Sequence, residues 1–236
     1  MTEEYYTMAE TYKKLAFELH DADRASLSIK SCDYFEAFCR FKQRSAYEAD
    51  EKFMLEYYLR WLPYAICFDD DYIIEGLFEG TRCYMEFIDM MNIHNIFEII
   101  TNLGIKVKSE SERLMKLKRS IKECNNSFII SLFPCIIDLE KYRLKKSSVD
   151  SDTVRDKGLF VIQEKFPSNS VVMKKLGFGE YFIRLYFNEK TVELIKDGDV
   201  FDISILRQNG KWVLDDIRGC FNINRKEYEN GIKCIV

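Results

Sequence analysis

The chain predicts an α+β protein of two domains: an N-terminal all-α helical bundle over residues 1–146, and a small C-terminal antiparallel β-barrel or bent sheet, SH3-like or OB-like, over 158–236. Three observations carry this. Apolar residues recur at helical spacing up to about residue 145, and short runs rich in β-branched and aromatic residues recur after about 158. Between them, 147–157 is polar and without period, the text of a linker. With 18 Phe and 14 Tyr against 3 Pro, the chain has ample apolar area to offset its conformational entropy, so a disordered tail is excluded.

The first helix is expected over Glu4 to Leu19, where Tyr5, Met8, Tyr12, Leu15, Ala16 and Leu19 fall three or four apart. A second is expected from Cys32 to Gln43 with Ser31 as its cap, Phe35, Phe38 and Cys39 lying on one side. Ser45-Ala46-Tyr47-Glu48 has the pattern in which a serine oxygen and a glutamate carboxylate serve each other's amides at a helix start. That helix should run to Leu62 and stop at Pro63. Asp69, Asp70 and Asp71 then suit the positive end of a helix from Tyr72 to Met91. Within it Gly76 and Gly80, four apart, would let another backbone come close. A short helix from Ile93 should end at Gly104. Ser109 opens another through Cys124, and Phe128 to Lys145 reads as a last helix interrupted by Pro134.

Six strands are expected in the second half: Leu159–Gln163, Ser170–Leu176, Tyr181–Phe187, Thr191–Ile195, Val200–Leu206 and Lys211–Ile217. Asn209-Gly210 supplies the positive backbone angles of a two-residue hairpin turn, and Lys196 to Asp199 forms a second turn.

The acidic start, Met1-Thr2-Glu3-Glu4, has no basic region leading into an apolar one, and the longest apolar run is too short for a bilayer, so a cytoplasmic protein with no membrane contact is expected. The eight cysteines include no C-x-x-C pair and read as buried free thiols. No metal or other cofactor is expected, because His20 and His94 are isolated and the Asp69–Asp71 run with Glu75 lacks calcium-loop spacing. Asp199, Asp202, Asp215 and Asp216 read as turn and strand carboxylates rather than an acid–base pair. Gly177-Phe178-Gly179 reads as a strand turn. No catalytic constellation emerges, so no enzyme is expected.

Net charge is −4: residues 1–150 hold 21 Lys+Arg against 26 Asp+Glu, and residues 151–236 hold 14 against 13. Neither half has the basic excess usual in a DNA-binding domain. A local basic run, Lys106, Lys108, Arg113, Lys116, Lys118, Arg119 and Lys122, is the candidate patch for an anionic partner, its plain alternative being a solvated helix face. In the β domain, Trp212 with Tyr181 and Phe201 is the candidate binding surface, its alternative being packing across the sheet.

The helix order, with Tyr34-Phe35-Glu36-Ala37-Phe38-Cys39, then Ser45 opening a helix that ends Tyr57-Tyr58-Leu59-Arg60-Trp61-Leu62, then a helix ending Cys83-Tyr84-Met85-Glu86-Phe87-Ile88, resembles the SAM-like core-binding domain of phage integrases and tyrosine recombinases. The resemblance covers roughly 28–125 and is similar to that of uncharacterised bacterial proteins lacking the recombinase catalytic domain. It implies a SAM-like helical fold and a DNA-clamping role for the basic run. No catalytic residue carries over, since no His follows residue 94 and that family's His-containing motif has no counterpart. The expected function is therefore a non-catalytic protein-interaction or regulatory role with another protein as partner. The alternative is nucleic-acid binding by the basic helix face and the β domain.

Overall fold

The computed structural model describes residues 3–66, 71–91, 96–123, 129–132, 154–177, 181–208 and 211–222. The chain divides into two compact units, Met1–Lys116 and Leu117–Val236. The first is helical and the second is built on an antiparallel sheet.

In the helical unit, α1 (Glu3–Leu19) is followed by α2 (Ala22–Lys42). Helix α2 starts ten residues earlier than the sequence suggests, because Asp21 caps it by accepting the Arg24 amide at 3.0 Å. The expected cap Ser31 is instead fully buried in mid-helix, its hydroxyl donating back to Leu27 O at 2.8 Å. The Ser45–Glu48 box forms as expected: Ser45 Oγ accepts from Tyr47 N–H at 3.0 Å and Glu48 from Ser45 N–H at 2.9 Å. It closes only a 3₁₀ turn, Ala46–Glu48, and Asp50 caps the next helix, α3 (Glu51–Glu56), through Phe53 N–H at 2.8 Å.

Pro63 does not end that helix. A π turn, Tyr57–Trp61, leads into α4 (Leu62–Ala65), and Leu62 N–H bonds to Tyr57 O, five residues back. In the same register Tyr58 O would be served by residue 63, which as proline has no N–H. The Ser111 hydroxyl donates to that carbonyl instead, at 2.6 Å. Ser111 is fully buried, so Ser111→Ala is expected to cost about 1–2 kcal/mol by stranding the carbonyl. Urea unfolding of the two proteins measures it.

Helix α5 (Asp71–Met90) packs along α2 through the two glycines. A Cβ at Gly76 would lie 2.6 Å from Leu27 Cδ1, and one at Gly80 would lie 2.7 Å from Leu27 O. The core around this seam is aromatic, with Tyr12, Phe35, Phe38, Phe53, Tyr57, Tyr58 and Tyr84 all buried. Helix α6 (Ile96–Glu123) runs uninterrupted through Gly104 and Ser109. The cost of an interior glycine, about 1 kcal/mol, is outweighed by burial of Leu103, Val107 and Leu114 on one side.

One half-buried acid borders this core. Tyr84 O–H donates to Glu36 at 2.6 Å, and burial raises the Glu36 pKa, with the Tyr84 hydrogen bond, Arg40 and Lys13 pulling it back. A carboxyl whose folded pKa lies above its unfolded value favours folding when protonated. The benefit is full below the unfolded value of about 4.3 and lost as pH rises through the folded value. Glu36→Gln keeps an acceptor for Tyr84 without the charge. It should raise the melting temperature by a few degrees at pH 7, with the gap closing towards pH 4 in paired thermal melts.

In the second unit, β2 (Val154–Phe166), β3 (Ser170–Lys175), β4 (Phe182–Tyr186), β5 (Asp199–Gln208) and β6 (Lys211–Asn222) form a five-strand antiparallel sheet in the order β4-β3-β2-β5-β6. The four residues of β1 (Ile129–Leu132) add to both edges: Ser131 and Leu132 pair with β4, Ile129 and Ile130 with β6. Register shifts at Ile162/Glu164, Asp202/Ile203 and Ser204/Ile205 mark bulges, where long strands bend. One face is a continuous core of Phe160, Met173, Ile183, Leu185, Phe201, Ile203 and Ile205.

Three expectations change here. Thr191–Ile195 is not a strand but the end of α7 (Glu189–Leu194), capped by Asn188, which accepts the Thr191 amide at 2.8 Å. Ile129–Leu132 is strand rather than helix, since a short β-branched run carries no period that separates the two. The rest of the expected 128–145 helix lies outside the described residues. Of the expected linker, 147–153 also lies outside them, and Val154–Lys157 opens β2. The division between units falls within α6, which has no linker composition to betray it. The Asn209-Gly210 turn lies outside the described residues, while the flanking Gln208 and Lys211 pair as a hairpin requires. Lys196–Asp199 is a turn, Gly198 taking φ 83° and Asp199 N–H bonding Lys196 O at 3.2 Å.

Candidate interaction surfaces

The basic run on α6 is largely neutralised by its own helix. Lys108 meets Glu112 at 3.7 Å, Arg113 meets Glu110 through Nε at 2.9 Å, and Arg119 meets Glu123 at 2.7 Å. Lys116 reaches Glu75 of α5 at 2.8 Å. Lys118 is buried at 2% exposure and Lys122 is half-buried, while the Lys106 side chain lies outside the described residues. Among the described residues, the six cations of this run therefore do not form one open cationic face. The signal was present, because each helical glutamate stands three or four residues from its partner.

The second predicted surface also separates. Phe201 has zero exposure and meets Phe187 edge-on at 6.3 Å, so it belongs to the sheet core and not to a surface. Alternation along β5 puts it on the same side as Ile203 and Ile205, both fully buried. Tyr181 is half-buried beside Phe160 at 6.2 Å, with the Lys175 ammonium 5.4 Å from its ring. Trp212 stands in β6 opposite Arg207 and Ile130, and its side chain lies outside the described residues.

The carboxylates of this unit are engaged in structure. Asp202 takes an ion pair from Arg218, and Asp215 accepts from Ser204 at 2.8 Å and from Arg155 at 3.1 Å. Asp199 accepts the Lys196 amide at 2.8 Å and Asn222 at 2.9 Å. Among the described residues no group of three or more His, Cys, Asp or Glu side chains gathers as a metal site would require. Cys32, Cys39, Cys83 and Cys220 are buried free thiols, and burial raises the pKa of the first three. Among the described residues no helix is long and apolar enough to cross a membrane.

What the sequence reading missed is an aromatic shelf on the helical unit. Phe41, in the last turn of α2, is 45% exposed and stacks on Trp61 at 5.3 Å with an interplanar angle of 17°. Trp61 is held from beneath, its Nε1–H donating to Tyr34 O at 3.3 Å and its ring lying 5.9 Å from Phe38. Tyr64, three residues further along the same helical segment and 39% exposed, stands on the same side. Lys42 lies 5.7 Å from the Phe41 ring centroid and pairs with Glu56. The π turn sets where Trp61 points, so the shelf depends on the Ser111 and Pro63 arrangement. No family model, curated protein or solved structure matches the chain.

Proposed function

We propose that this chain is a non-catalytic interaction protein that binds another protein through the Phe41–Trp61–Tyr64 shelf. The observation carrying the reading is that two large aromatic side chains stay exposed around a tryptophan locked in place. Rigid, amphipathic rings of this kind dominate the energetics of protein interfaces, and preorganisation lowers the entropy cost of binding. The proposal retains a SAM-like helical unit, as in recombinase core-binding domains, and an SH3-like or OB-like sheet. It is supported by the helix order α2 to α5 and by the antiparallel β2–β3–β4 meander.

The test is affinity purification of the tagged chain from its native cells, with and without nuclease, beside a Phe41→Ser/Tyr64→Ser variant. A protein retained after nuclease by the wild type and lost by the variant is the expected result. An eluate emptied by nuclease, or the same proteins on the variant, would overturn the reading.

A further inference from the structure

Strand β4 reads Phe182-Ile183-Arg184-Leu185-Tyr186, and its alternation is complete: Ile183 and Leu185 have zero exposure, Phe182 and Arg184 are half-buried, and Tyr186 is 36% exposed. Register carries the outer face across the sheet. Tyr186 stands opposite Ser170 and Ser170 opposite Phe166. Arg184 stands opposite Val172, Val172 opposite Glu164, and Phe182 opposite Lys174. Over β4, β3 and the Glu164–Phe166 end of β2, three aromatic rings and two cations thus share one face with one carboxylate, and Asp202 of β5, which shares that face further along, is paired with Arg218. Arg184 lies 4.6 Å from the Phe166 centroid and Lys174 lies 5.8 Å from that of Phe182.

Charge points the same way once the division between units is known. Residues 117–236 hold 21 Lys+Arg against 17 Asp+Glu, net +4, and residues 1–116 hold 14 against 22, net −8. The sheet unit is basic and the helical unit acidic, a contrast that a boundary at 150 conceals.

We propose that this outer face binds single-stranded nucleic acid, with bases stacking on Tyr186 and Phe182 and phosphates meeting Arg184 and Lys174. Aromatic side chains interleaved with cations along a groove or sheet are how unpaired strands are held without regard to sequence. A duplex keeps its bases stacked on one another and cannot use the rings. An acidic peptide would use the cations and leave the rings unfilled. The proposal concerns the sheet unit alone and is independent of the shelf on the helical unit.

Fluorescence anisotropy of the full chain with a labelled, mixed-sequence single strand of about fifteen nucleotides tests it, as DNA and as RNA. Saturable binding is expected, weakening with salt at a log–log slope of about −1.4, roughly −0.7 for each of two phosphates. Tyr186→Ala and Phe182→Ala should each weaken it roughly tenfold or more, and Arg184→Gln should flatten the slope. A thermal melt of each variant identifies any that has lost its fold, and Tyr186→Ser on the exposed ring stands in for a Phe182→Ala that unfolds. No saturable binding, equal affinity for a duplex, equal competition by polyglutamate, or affinity unchanged in folded ring variants would each overturn the proposal. Phe41→Ser/Tyr64→Ser should leave this affinity unchanged while abolishing protein capture.

Discussion

Phe35→Ala is expected to destabilise the helical unit by about 3–5 kcal/mol, a large part of the 5–15 kcal/mol typical of a whole domain. Phe35 has zero exposure and meets three rings at once: Tyr57 at 5.1 Å, Phe53 at 6.2 Å and Tyr84 at 6.4 Å, all near edge-on. Truncation removes the transfer energy of the ring and the edge-to-face terms, and it opens a cavity that rigid aromatic walls close poorly. Phe35→Leu, closer in volume, should cost far less. Trp61 is in the helical unit and Trp212 in the sheet unit, so urea unfolding followed by Trp61 fluorescence in a Trp212→Phe background reads the helical unit alone. A loss below about 1 kcal/mol would mean that the aromatic cluster is not the keystone of this core.

The second large effect is expected at Gly80. A side chain there meets backbone, with its Cβ 2.7 Å from Leu27 O and 3.0 Å from Leu27 C, and the carbonyl cannot move without shifting α2. Gly80→Leu should destabilise by about 3 kcal/mol, the upper part of the range for overpacking, and Gly80→Ala by about 1–2 kcal/mol. Gly76→Ala is the control. Its Cβ meets Leu27 Cδ1, the far end of a flexible side chain, and the gain of up to about 1 kcal/mol from replacing a mid-helix glycine offsets the adjustment. Chemical denaturation of the three variants should give a clear loss for both Gly80 changes and nearly none for Gly76→Ala. Equal effects at the two glycines would show that the helices do not meet as closely as described.

The two surfaces differ in how each arises. The shelf depends on a π turn, which no propensity scale marks: Pro63 suggests a helix end, and only the Ser111 hydroxyl reaching Tyr58 O lets the chain pass it with its carbonyls served. The sheet face, by contrast, is written openly in β4, where apolar and polar-or-aromatic residues alternate without exception. What hid it is that outward aromatics look like core in a list of hydrophobic residues. On α6 the signal runs the other way, since counting cations alone overlooks the glutamates one turn away that pair with them.

The amino-acid order alone determined the class of each unit, five of the six expected strands with Thr191–Ile195 the exception, the Ser45–Glu48 box, the turn at Lys196–Asp199 and the close approach at Gly76 and Gly80. These are local: a period, a cap or a missing Cβ acts over a few residues. Tertiary structure decided the early start of α2, the passage of helix through Pro63 and Gly104, and the helix over Glu189–Leu194, whose Thr191 hydroxyl lies 2.6 Å from that of Ser120. It also decided which aromatics are core and which are surface, burying Phe201 and exposing Phe41 and Tyr186. In each case burial or a hydrogen bond from a residue distant in sequence outweighed a local preference worth about 1 kcal/mol or less.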